Sequence, residues 1–247
     1  AERSLNRLVG YLLRPGAAVR IYSPTVESPA FPPTGDLVSV PSFPFPGGRG
    51  EYRMALGMRG ATKRDLAAFS PNIVHVSAPD FLGHSAVAYA RKRNIPVVAS
   101  MHTRFETYPR YYGLAFMEPV IEAILRRFYR RCDAVVAPSE SMAQVLREQR
   151  MSYNIGIWTR GIDREIFNPG RRDMDWRQSV GLDPELPVIG FLGRLVMEKG
   201  LDVFSDAVDT LRQRQIRHSV LIVGEGPARD WLQDRLPNAV FTGFQGG

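Results

Sequence analysis

Two cationic side chains, Arg194 and Lys199, occupy a turn that could bind an anion. An apolar run over residues 188–192 stops at Gly193, and an amphipathic helical pattern begins near Lys199. The free N–H groups at a helix start, a forked guanidinium and an ammonium together fit a phosphate or a diphosphate. The alternative is that both cations are ordinary solvated residues of a loop.

The distribution of charge gives this turn more weight. The 32 basic residues include only three lysines, Lys63, Lys92 and Lys199. Lysine is therefore rare in this chain, and its presence in the turn favours a specific role. Residues 1–160 carry 21 Lys and Arg against 12 Asp and Glu, whereas residues 161–247 carry 11 against 13. This asymmetry predicts that the first part meets an anionic partner, which could be nucleic acid, acidic lipid or a charged substrate.

A second candidate is His102, which directly follows an apolar run over residues 97–101. Parallel α/β sheets bind ligands at the carboxyl ends of their strands, so a polar residue here is expected to contribute to a site. The alternative is a structural histidine at a strand end. His75 lies inside an apolar run and is expected to be a hydrogen-bonded core residue, and His84 lies at a helix start.

A basic and aromatic segment follows Thr103, and a later helical pattern carries arginines beside an apolar stripe. A solvated helix flank, an anionic membrane surface, a sugar or lipid headgroup and single-stranded nucleic acid are competing explanations. Because no nucleic-acid-binding motif is present, we favour an acceptor pocket with weak membrane contact. The candidate residues are Arg104, Tyr108, Arg110, Tyr111, Arg126, Arg127 and Arg130.

These candidates are carried by two series of alternating apolar runs and helical patterns. Such alternation indicates doubly wound α/β domains with parallel sheets, predicted over residues 1–165 and 166–247. Strands are predicted at 19–22, 37–40, 73–76, 97–101, 134–137, 153–158, 188–192, 219–223 and 239–242. Helices are predicted at 4–14, 59–69, 81–93, 115–131, 140–150 (capped by Ser139), 200–214 and 228–235.

Composition limits the class of protein. The chain has 44% apolar and 23% charged residues, as ordinary globular proteins do, and it lacks any run of 18 apolar residues that would predict a membrane span. Its single cysteine, Cys132, fits a reducing compartment, so a cytoplasmic location is expected. No His and Cys cluster predicts a metal site, and Asp173 and Asp175 are expected to lie in a loop.

Several segments, in the order in which the family has them, resemble glycosyltransferase family 4, whose members have the GT-B fold of two facing Rossmann-like domains. The resemblance extends over essentially the whole chain. Its segments are Met101-His102-Thr103, Pro138-Ser139, Arg160-Gly161-Ile162-Asp163, residues 193–200 and Val223-Gly224-Glu225-Gly226-Pro227.

The resemblance implies a retaining enzyme that moves a sugar from a UDP- or GDP-sugar to a lipid or glycan acceptor, without a metal or another cofactor. Arg194 and Lys199 would bind the donor diphosphate and stabilise the charge on the leaving group, and His102 would lie beside the transferred sugar. Further donor contacts are expected at Gly193, Gly224, Glu225, Gly226 and Gln245, the last near the nucleobase.

The family's first glycine-rich turn and its paired glutamates do not occur between Ala1 and Gly247. The resemblance therefore implies a fragment, truncated at both ends, that is inactive by itself. Peripheral contact with the inner face of an anionic membrane is expected, and a nucleic-acid partner is not. Two alternatives stay open: an epimerase of nucleotide-sugars with the same fold, and a non-catalytic basic module that binds membrane or nucleic acid.

Overall fold

The chain divides into two units, residues 1–161 and 162–247. The computed structural model describes residues 2–26, 32–44, 53–159 and 161–245. Arg160, which belongs to one of the segments named above, lies outside the described residues, and so does the side chain of Tyr111.

Eight helices, eleven strands and four short 3₁₀ helices make up the described ranges. The helices are α1 (Glu2–Leu13), α2 (Gly60–Phe69), α3 (Phe81–Arg91), α4 (Glu118–Tyr129), α5 (Glu140–Glu148), α6 (Met174–Ser179), α7 (Leu201–Gln213) and α8 (Arg229–Arg235). The strands are β1 (Arg20–Ser23), β2 (Asp36–Ser39), β3 (Ser42–Pro44), β4 (Arg53–Ala55), β5 (Val74–Val76), β6 (Val97–Ser100), β7 (Ala134–Ala137), β8 (Ile155–Ile157), β9 (Val188–Leu192), β10 (Ser219–Val223) and β11 (Val240–Gly243). The 3₁₀ helices are Phe105–Tyr112, Ala115–Met117, Pro169–Arg171 and Met197–Lys199.

The main sheet of the first unit has four parallel strands in the order β5-β6-β7-β8. Its short, apolar, β-branched strands are typical of a sheet that helices cover. Val87 of α3, Phe128 of α4 and Leu146 of α5 are fully buried in the same core as Val97 and Val135 of the sheet. Burial of each such side chain contributes about 1.5–3 kcal/mol. The alternating strands and helices predicted from the sequence are confirmed here.

Two helices that follow strands of this sheet begin at capping side chains. The Asp80 carboxylate accepts a hydrogen bond of 2.7 Å from the Gly83 N–H at the start of α3. The Ser139 hydroxyl accepts one of 3.3 Å from the Met142 N–H at the start of α5, so the predicted cap is present. These caps end the loops after β5 and β7 within a few residues, which keeps that edge of the sheet compact.

The residues before β5 form two small, separate sheets. Strands β1 and β2 are parallel, and β3 pairs with β4 in antiparallel orientation. Arg20 ties the first pair together, because its guanidinium donates to Asp36 at 2.7 Å and to Asp65 of α2 at 3.0 Å. The β3-β4 pair was not predicted, since its three-residue strands lie in a Pro- and Gly-rich stretch without a clear alternation of apolar residues.

The sheet of the second unit has three parallel strands in the order β11-β10-β9. Central β10 buries Val220 and Ile222, while α7 buries Leu201 and Val208 in the same core. This core shares no residue with the core of the first unit.

Two predicted segments need correction, and one 3₁₀ helix was not predicted. Residues 105–112 form a 3₁₀ helix, and α4 begins only at Glu118 after a further 3₁₀ turn. The expected loop around Asp173 is the start of α6, where the Asp173 carboxylate accepts a hydrogen bond of 2.8 Å from the Trp176 N–H. That carboxylate satisfies a backbone donor that would otherwise lack a partner within the helix, which is the usual function of an N-cap.

Candidate functional site

The turns that follow the three strands of the second unit are joined by backbone hydrogen bonds. Gly193 N–H donates to the Val223 carbonyl at 2.9 Å, and Leu195 N–H donates to the Glu225 carbonyl at 2.9 Å. Gly224 N–H in turn donates to the Gly243 carbonyl at 2.8 Å. The carboxyl ends of β9, β10 and β11 therefore carry one continuous platform of turns, at the edge where parallel α/β sheets bind ligands.

Two glycines are required by how closely these turns approach each other. A Cβ atom at Gly224 would lie 1.8 Å from the Gly193 carbonyl oxygen, and the residue has a φ of +141°. A Cβ atom at Gly226 would lie 2.2 Å from the Leu195 carbonyl oxygen. Packing alone thus accounts for glycine at both positions, and the donor contact expected of Gly193, Gly224 and Gly226 stays a prediction.

Arg194 and Lys199 bracket the first of these turns. Arg194 directly follows Gly193, and its Nη2 lies 3.7 Å from Glu198 Oε1, which is longer than a direct hydrogen bond. Lys199 is exposed at the end of the 3₁₀ turn Met197–Lys199. The helix pattern predicted near Lys199 thus begins with this turn, and α7 itself starts at Leu201.

The start of α7 lies next to these two cations in the chain. Its N-cap is Gly200, which has a φ of 71° and no side chain that could accept a hydrogen bond from the first N–H groups. Helix N-termini attract anions through such N–H groups and through the helix dipole. The predicted combination of a glycine turn, two cations and an uncapped helix start is present in the chain.

The other expected donor residues of the second unit lie on the same platform. Glu225 forms an ion pair with Arg229 of α8, so part of its charge is balanced within the turn. Gln245 is exposed, and its Nε2 donates to the Thr242 carbonyl at 2.9 Å. This hydrogen bond leaves the amide oxygen of Gln245 as the group that could accept from a ligand.

His102 follows β6 at the carboxyl edge of the four-stranded sheet, as predicted. Both of its ring nitrogens are buried. Its ring packs edge-on against Trp158, with the two centroids 6.1 Å apart and the planes at 68°.

Trp158 also contacts a second histidine. Its ring centroid lies 6.0 Å from that of His75, whose Nε2 forms a hydrogen bond of 2.5 Å with Ser100 Oγ. The predicted hydrogen bond of His75 is therefore confirmed, although the residue is exposed on β5 rather than in the core. Trp158 was not identified from the sequence. An aromatic residue directly after a strand, at the same edge as His102, is the feature that could have revealed it.

The basic residues after Thr103 are engaged by carboxylates of the same unit. Arg104 Nε donates at 2.7 Å to Glu106, a carboxylate that is only 3% exposed. Arg110 donates two hydrogen bonds of 2.7 Å to both carboxylate oxygens of Glu118, which lowers the pKa of Glu118. These contacts attach the 3₁₀ helix 105–112 to the first turn of α4. They also balance charges that were expected to face an anionic partner.

Arg126 of α4 and Arg130, which directly follows α4, bind the end of α5. Arg126 Nε donates to the Gln149 carbonyl at 2.8 Å, and Arg130 Nε donates to the Arg150 carbonyl at 2.9 Å. Carbonyl groups at a helix C-terminus lack partners within the helix, and cations are favourable there. Arg126 and Arg130 therefore have a structural role that the sequence did not indicate, whereas Arg127 is exposed on the same helix.

The face of α4 that carries Val120 and Ile124 is apolar and open to solvent. Phe116, which is 76% exposed, lies in the 3₁₀ helix directly before α4. Val120 is 58% exposed and Ile124 52%, and the two lie one turn apart on α4. Arg127 continues the row. Tyr108 is also partly exposed, and its ring packs against Phe105 with centroids 6.0 Å apart. We call residues 116, 120 and 124 the apolar face of α4.

Among the residues that the structure describes, no three His, Cys, Asp or Glu side chains come together as a metal site would need. None of the helices in the described ranges combines the length and the apolar character needed to cross a bilayer.

Two family models match the chain, one on each unit. The model described as Glycosyltransferase Family 4 matches residues 1–166, and the model described as Glycosyl transferases group 1 matches residues 186–246. The order of the two matches is the order of the segments from which the resemblance was first inferred.

Curated relatives include bacterial and plant glycosyltransferases. A GDP-mannose-dependent alpha-mannosyltransferase of Mycolicibacterium smegmatis is 32% identical over 97% of this chain and 63% of the relative. A protein of the same description from Corynebacterium glutamicum is 31% identical over 74% of this chain and 43% of the relative. The sulfoquinovosyl transferase SQD2 of Arabidopsis thaliana is 28% identical over 72% of this chain and 35% of the relative. The chain thus spans between about a third and two thirds of these relatives.

Solved structures share the fold. Sucrose-phosphate synthase from Thermosynechococcus elongatus superimposes with a TM-score of 0.67 at 14% identity, over 98% of this chain and 64% of that one. WaaG, a glycosyltransferase involved in lipopolysaccharide biosynthesis, superimposes with a TM-score of 0.54 at 14% identity, over 98% of this chain and 66% of that one. At this level of identity the likeness shows the fold alone, and it confirms the predicted α/β fold of GT-B type.

Proposed function

The chain belongs to glycosyltransferase family 4, and on that premise we propose that it serves the retaining transfer of a hexose from a UDP- or GDP-sugar to a lipid or glycan acceptor. The observation that carries the proposal is the platform of turns in the second unit, where Arg194 and Lys199 bracket a glycine turn at the start of α7.

Arg194 and Lys199 are proposed to bind the donor diphosphate. As the bond between the sugar and the diphosphate breaks, negative charge grows on the leaving group, and preformed positive groups stabilise that charge more than they stabilise the bound ground state. The guanidinium of Arg194 supplies a fork for two phosphate oxygens, and the ammonium of Lys199 supplies a point charge. Glu225 and Gln245 are proposed to contact the rest of the donor.

His102 is proposed to position the transferred sugar through a hydrogen bond to one of its hydroxyl groups. The burial of both ring nitrogens favours this role over proton exchange with solvent, because a hydrogen bond in a dry environment is stronger and more directional. This assignment does not make His102 an acid or a base in the reaction.

We further propose that the reaction needs no metal ion. The two cations and the N-terminus of α7 supply the positive charge that a divalent metal supplies in other enzymes of nucleotide chemistry. The dissociation constant of the nucleotide is therefore expected to be the same in EDTA and in Mg²⁺.

Among the possible donors, GDP-mannose is the first to test, because two of the relatives are described as GDP-mannose-dependent alpha-mannosyltransferases. GDP, UDP, GDP-mannose and UDP-glucose are compared in a thermal-shift assay of the chain, with inorganic phosphate as a control. A ligand that binds only the folded state raises the melting temperature with its concentration. A nucleoside diphosphate is expected to do so and inorganic phosphate is not. Equal shifts of the melting temperature with all five compounds would contradict a nucleotide site.

The acceptor is proposed to be reached at the inner, cytoplasmic face of an anionic membrane, which the first unit contacts through the apolar face of α4. Val120 and Ile124 are open to solvent, with Arg127 beside them, as in helices that lie in the lipid interface. Because Arg104, Arg110, Arg126 and Arg130 are held by carboxylates or carbonyls of the protein, this face is a better candidate for the contact than they are.

The membrane contact is tested by co-sedimentation with vesicles that contain phosphatidylglycerol or only phosphatidylcholine. The double substitution Phe116→Ser and Val120→Ser is expected to weaken binding to the anionic vesicles at least about ten-fold, since burial of each apolar side chain contributes about 1.5–3 kcal/mol. Val203→Ser is the matched control, because Val203 is 69% exposed on a helix of the other unit. Undiminished binding of the double variant would show that the contact is made elsewhere.

A further inference from the structure

Four residues of the first unit share one face of the four-stranded sheet at its carboxyl end. His75 pairs with Val98, and Ser100 lies two residues further along β6, on the same face. Ser100 pairs with Val136, Val136 pairs with Gly156, and Trp158 lies two residues beyond Gly156. Alternation along the strands therefore directs His75, Ser100 and Trp158 to the same side, and His102 follows two residues after Ser100.

The indole of Trp158 extends across the strand ends. Strands β5 and β8 lie at opposite edges of this sheet, about 14 Å apart at about 4.8 Å per strand spacing. Yet the ring centroids of His75 and Trp158 are only 6.0 Å apart. Both side chains must therefore reach over the ends of β6 and β7 toward each other, and His102 follows β6 at this point.

The result is a chain of contacts that ends at His102. Ser100 Oγ is hydrogen-bonded to His75 Nε2. The planes of the His75 and Trp158 rings meet at 62°, and those of the Trp158 and His102 rings meet at 68°. Edge-to-face packing of this kind is favourable and fixes the relative orientation of two rings.

We propose that Trp158 is a positioning residue, whose indole, supported by His75 and Ser100, holds the imidazole of His102 in one orientation at the carboxyl edge of the sheet. The proposal rests on the proposed function for what His102 does to a substrate. The orientation of the ring, however, is a property of the chain that can be measured without sugar transfer. The competing possibility, that Trp158 itself stacks on a sugar, is an outcome of the tests below.

The first test is the side-chain rotamer of His102, measured by NMR couplings and nuclear Overhauser effects in the histidine-labelled chain. Trp158→Phe keeps an aromatic edge, so we expect His102 to keep a single rotamer. Trp158→Leu removes that edge, so we expect averaging over several rotamers. Trp231→Leu, in the other unit, is the control and should change nothing. A single, unchanged His102 rotamer in Trp158→Leu would overturn the proposal.

His75→Gln keeps the test decisive if Trp158→Leu fails to fold. Glutamine retains a hydrogen-bonding group for Ser100 but lacks a ring for Trp158 to pack against, so His102 is expected to show partial averaging. Circular dichroism and a melting curve establish that the variant is folded. A folded His75→Gln chain whose Trp158 and His102 rings are unchanged would contradict the support that the proposal assigns to His75.

In a longer protein that contains this chain together with the family's paired glutamates, a double-mutant cycle on sugar transfer separates positioning from direct contact. Trp158→Leu should lower kcat on the order of ten-fold to a hundred-fold, since small misplacements of a substrate-positioning group have effects of this size. In the His102→Gln background the same change should have little further effect, because coupled residues are not additive. If the two substitutions lower kcat by factors that multiply in the double variant, and Trp158→Leu raises the KM for the donor, then Trp158 contacts the sugar and the positioning role is overturned. If His102→Gln leaves transfer unchanged, the proposed role of His102 fails while the rotamer result still decides the role of Trp158.

Discussion

At the scale of single residues, the platform of turns in the second unit depends on glycines that leave space for other backbone atoms. Gly224 combines a φ of +141° with a position where a Cβ atom would lie 1.8 Å from a carbonyl oxygen of the neighbouring turn. No rotamer change can relieve a clash between a Cβ atom and backbone. The neighbouring turn itself must move, and with it Gly193 and Arg194.

Gly224→Ala is therefore expected to destabilise the second unit by about 3 kcal/mol or more, since overpacking and a strained φ each cost about 1–3 kcal/mol. Gly190→Ala is the matched control, because a Cβ atom there would meet nothing closer than 3.9 Å, in a strand of the same sheet. Chemical denaturation followed by circular dichroism measures both. Equal stability of the two variants would contradict the close approach of the turns.

His84 gives the first unit a response to acid. Its ring packs on Phe128 with centroids 4.8 Å apart, and burial, with Arg131 nearby, lowers the pKa of His84 from its ordinary value. A histidine whose pKa is lower in the folded state binds its proton preferentially in the unfolded state. Its contribution to stability is therefore complete above about pH 6.5 and is lost as the pH falls below that value.

We expect the melting temperature of the chain to fall between pH 7.5 and pH 5, and His84→Gln to make this fall smaller. The charged and titratable neighbours of His84 are Asp80, Arg127 and Arg131, of which only Asp80 favours the protonated form. Differential scanning calorimetry at several pH values measures the effect. An identical pH profile in His84→Gln would show that this histidine does not contribute.

The residues of the site differ in how far the sequence could identify them. The turn with Arg194 and Lys199 was predicted because its elements are contiguous: a strand, a glycine and a helix start within a dozen residues. Trp158 was missed because its contacts with His75 and His102 depend on the order of strands in the sheet. Arg126 was assigned to an anionic partner because its own partner, the Gln149 carbonyl, lies 23 residues away.

At the scale of elements, α4 has two faces with different functions. One face buries Leu125 and Phe128 and places Arg126 and Arg130 on the carbonyls at the end of α5. The other face exposes Val120, Ile124 and Arg127. The sequence showed an amphipathic, basic helix, but periodicity alone does not distinguish an arginine that binds carbonyls from one that faces solvent.

Arg126→Ala and Arg127→Ala test this division with the same substitution at neighbouring positions. Arg126→Ala removes a charged hydrogen bond to a helix end and the i,i+4 ion pair with Glu122, so we expect a loss of about 1–2 kcal/mol of stability. Arg127→Ala should stay within about 0.5 kcal/mol of the parent. Urea unfolding measures both, and the reverse order of effects would contradict the assignment of the two faces.

At the scale of the whole molecule, the α/β order of the two units was predicted almost completely, because alternation of apolar runs with helical patterns is a local property. The strand boundaries in the two parallel sheets were predicted within a few residues. The small β3-β4 pair and the 3₁₀ helix 105–112 were not, since the contacts that hold them, such as that between Arg110 and Glu118, are not visible in local periodicity.

The excess of positive charge in residues 1–160 fits the proposal that the first unit contacts an anionic membrane surface while the second binds the donor. Residues 161–247 carry a small negative charge, and two of their cations, Arg194 and Lys199, lie in one turn. In the first unit several arginines are engaged within the protein, and Arg127 is exposed beside the apolar face of α4. Long-range attraction to an anionic surface depends on the total charge and weakens with salt, so vesicle binding should decrease as ionic strength rises.

The proposed diphosphate site of Arg194 and Lys199 can be tested by removing the ammonium group of Lys199. The measurement is the dissociation constant of GDP and of UDP by isothermal titration calorimetry, for the parent chain, Lys199→Ala and the control Lys63→Ala. Lys63 is exposed on α2 of the other unit, so its loss changes the net charge equally. Loss of a charged hydrogen bond to phosphate costs about 1.5–3 kcal/mol. We predict binding about 10- to 150-fold weaker in Lys199→Ala and unchanged in Lys63→Ala, whereas equal affinity of all three chains would contradict the site.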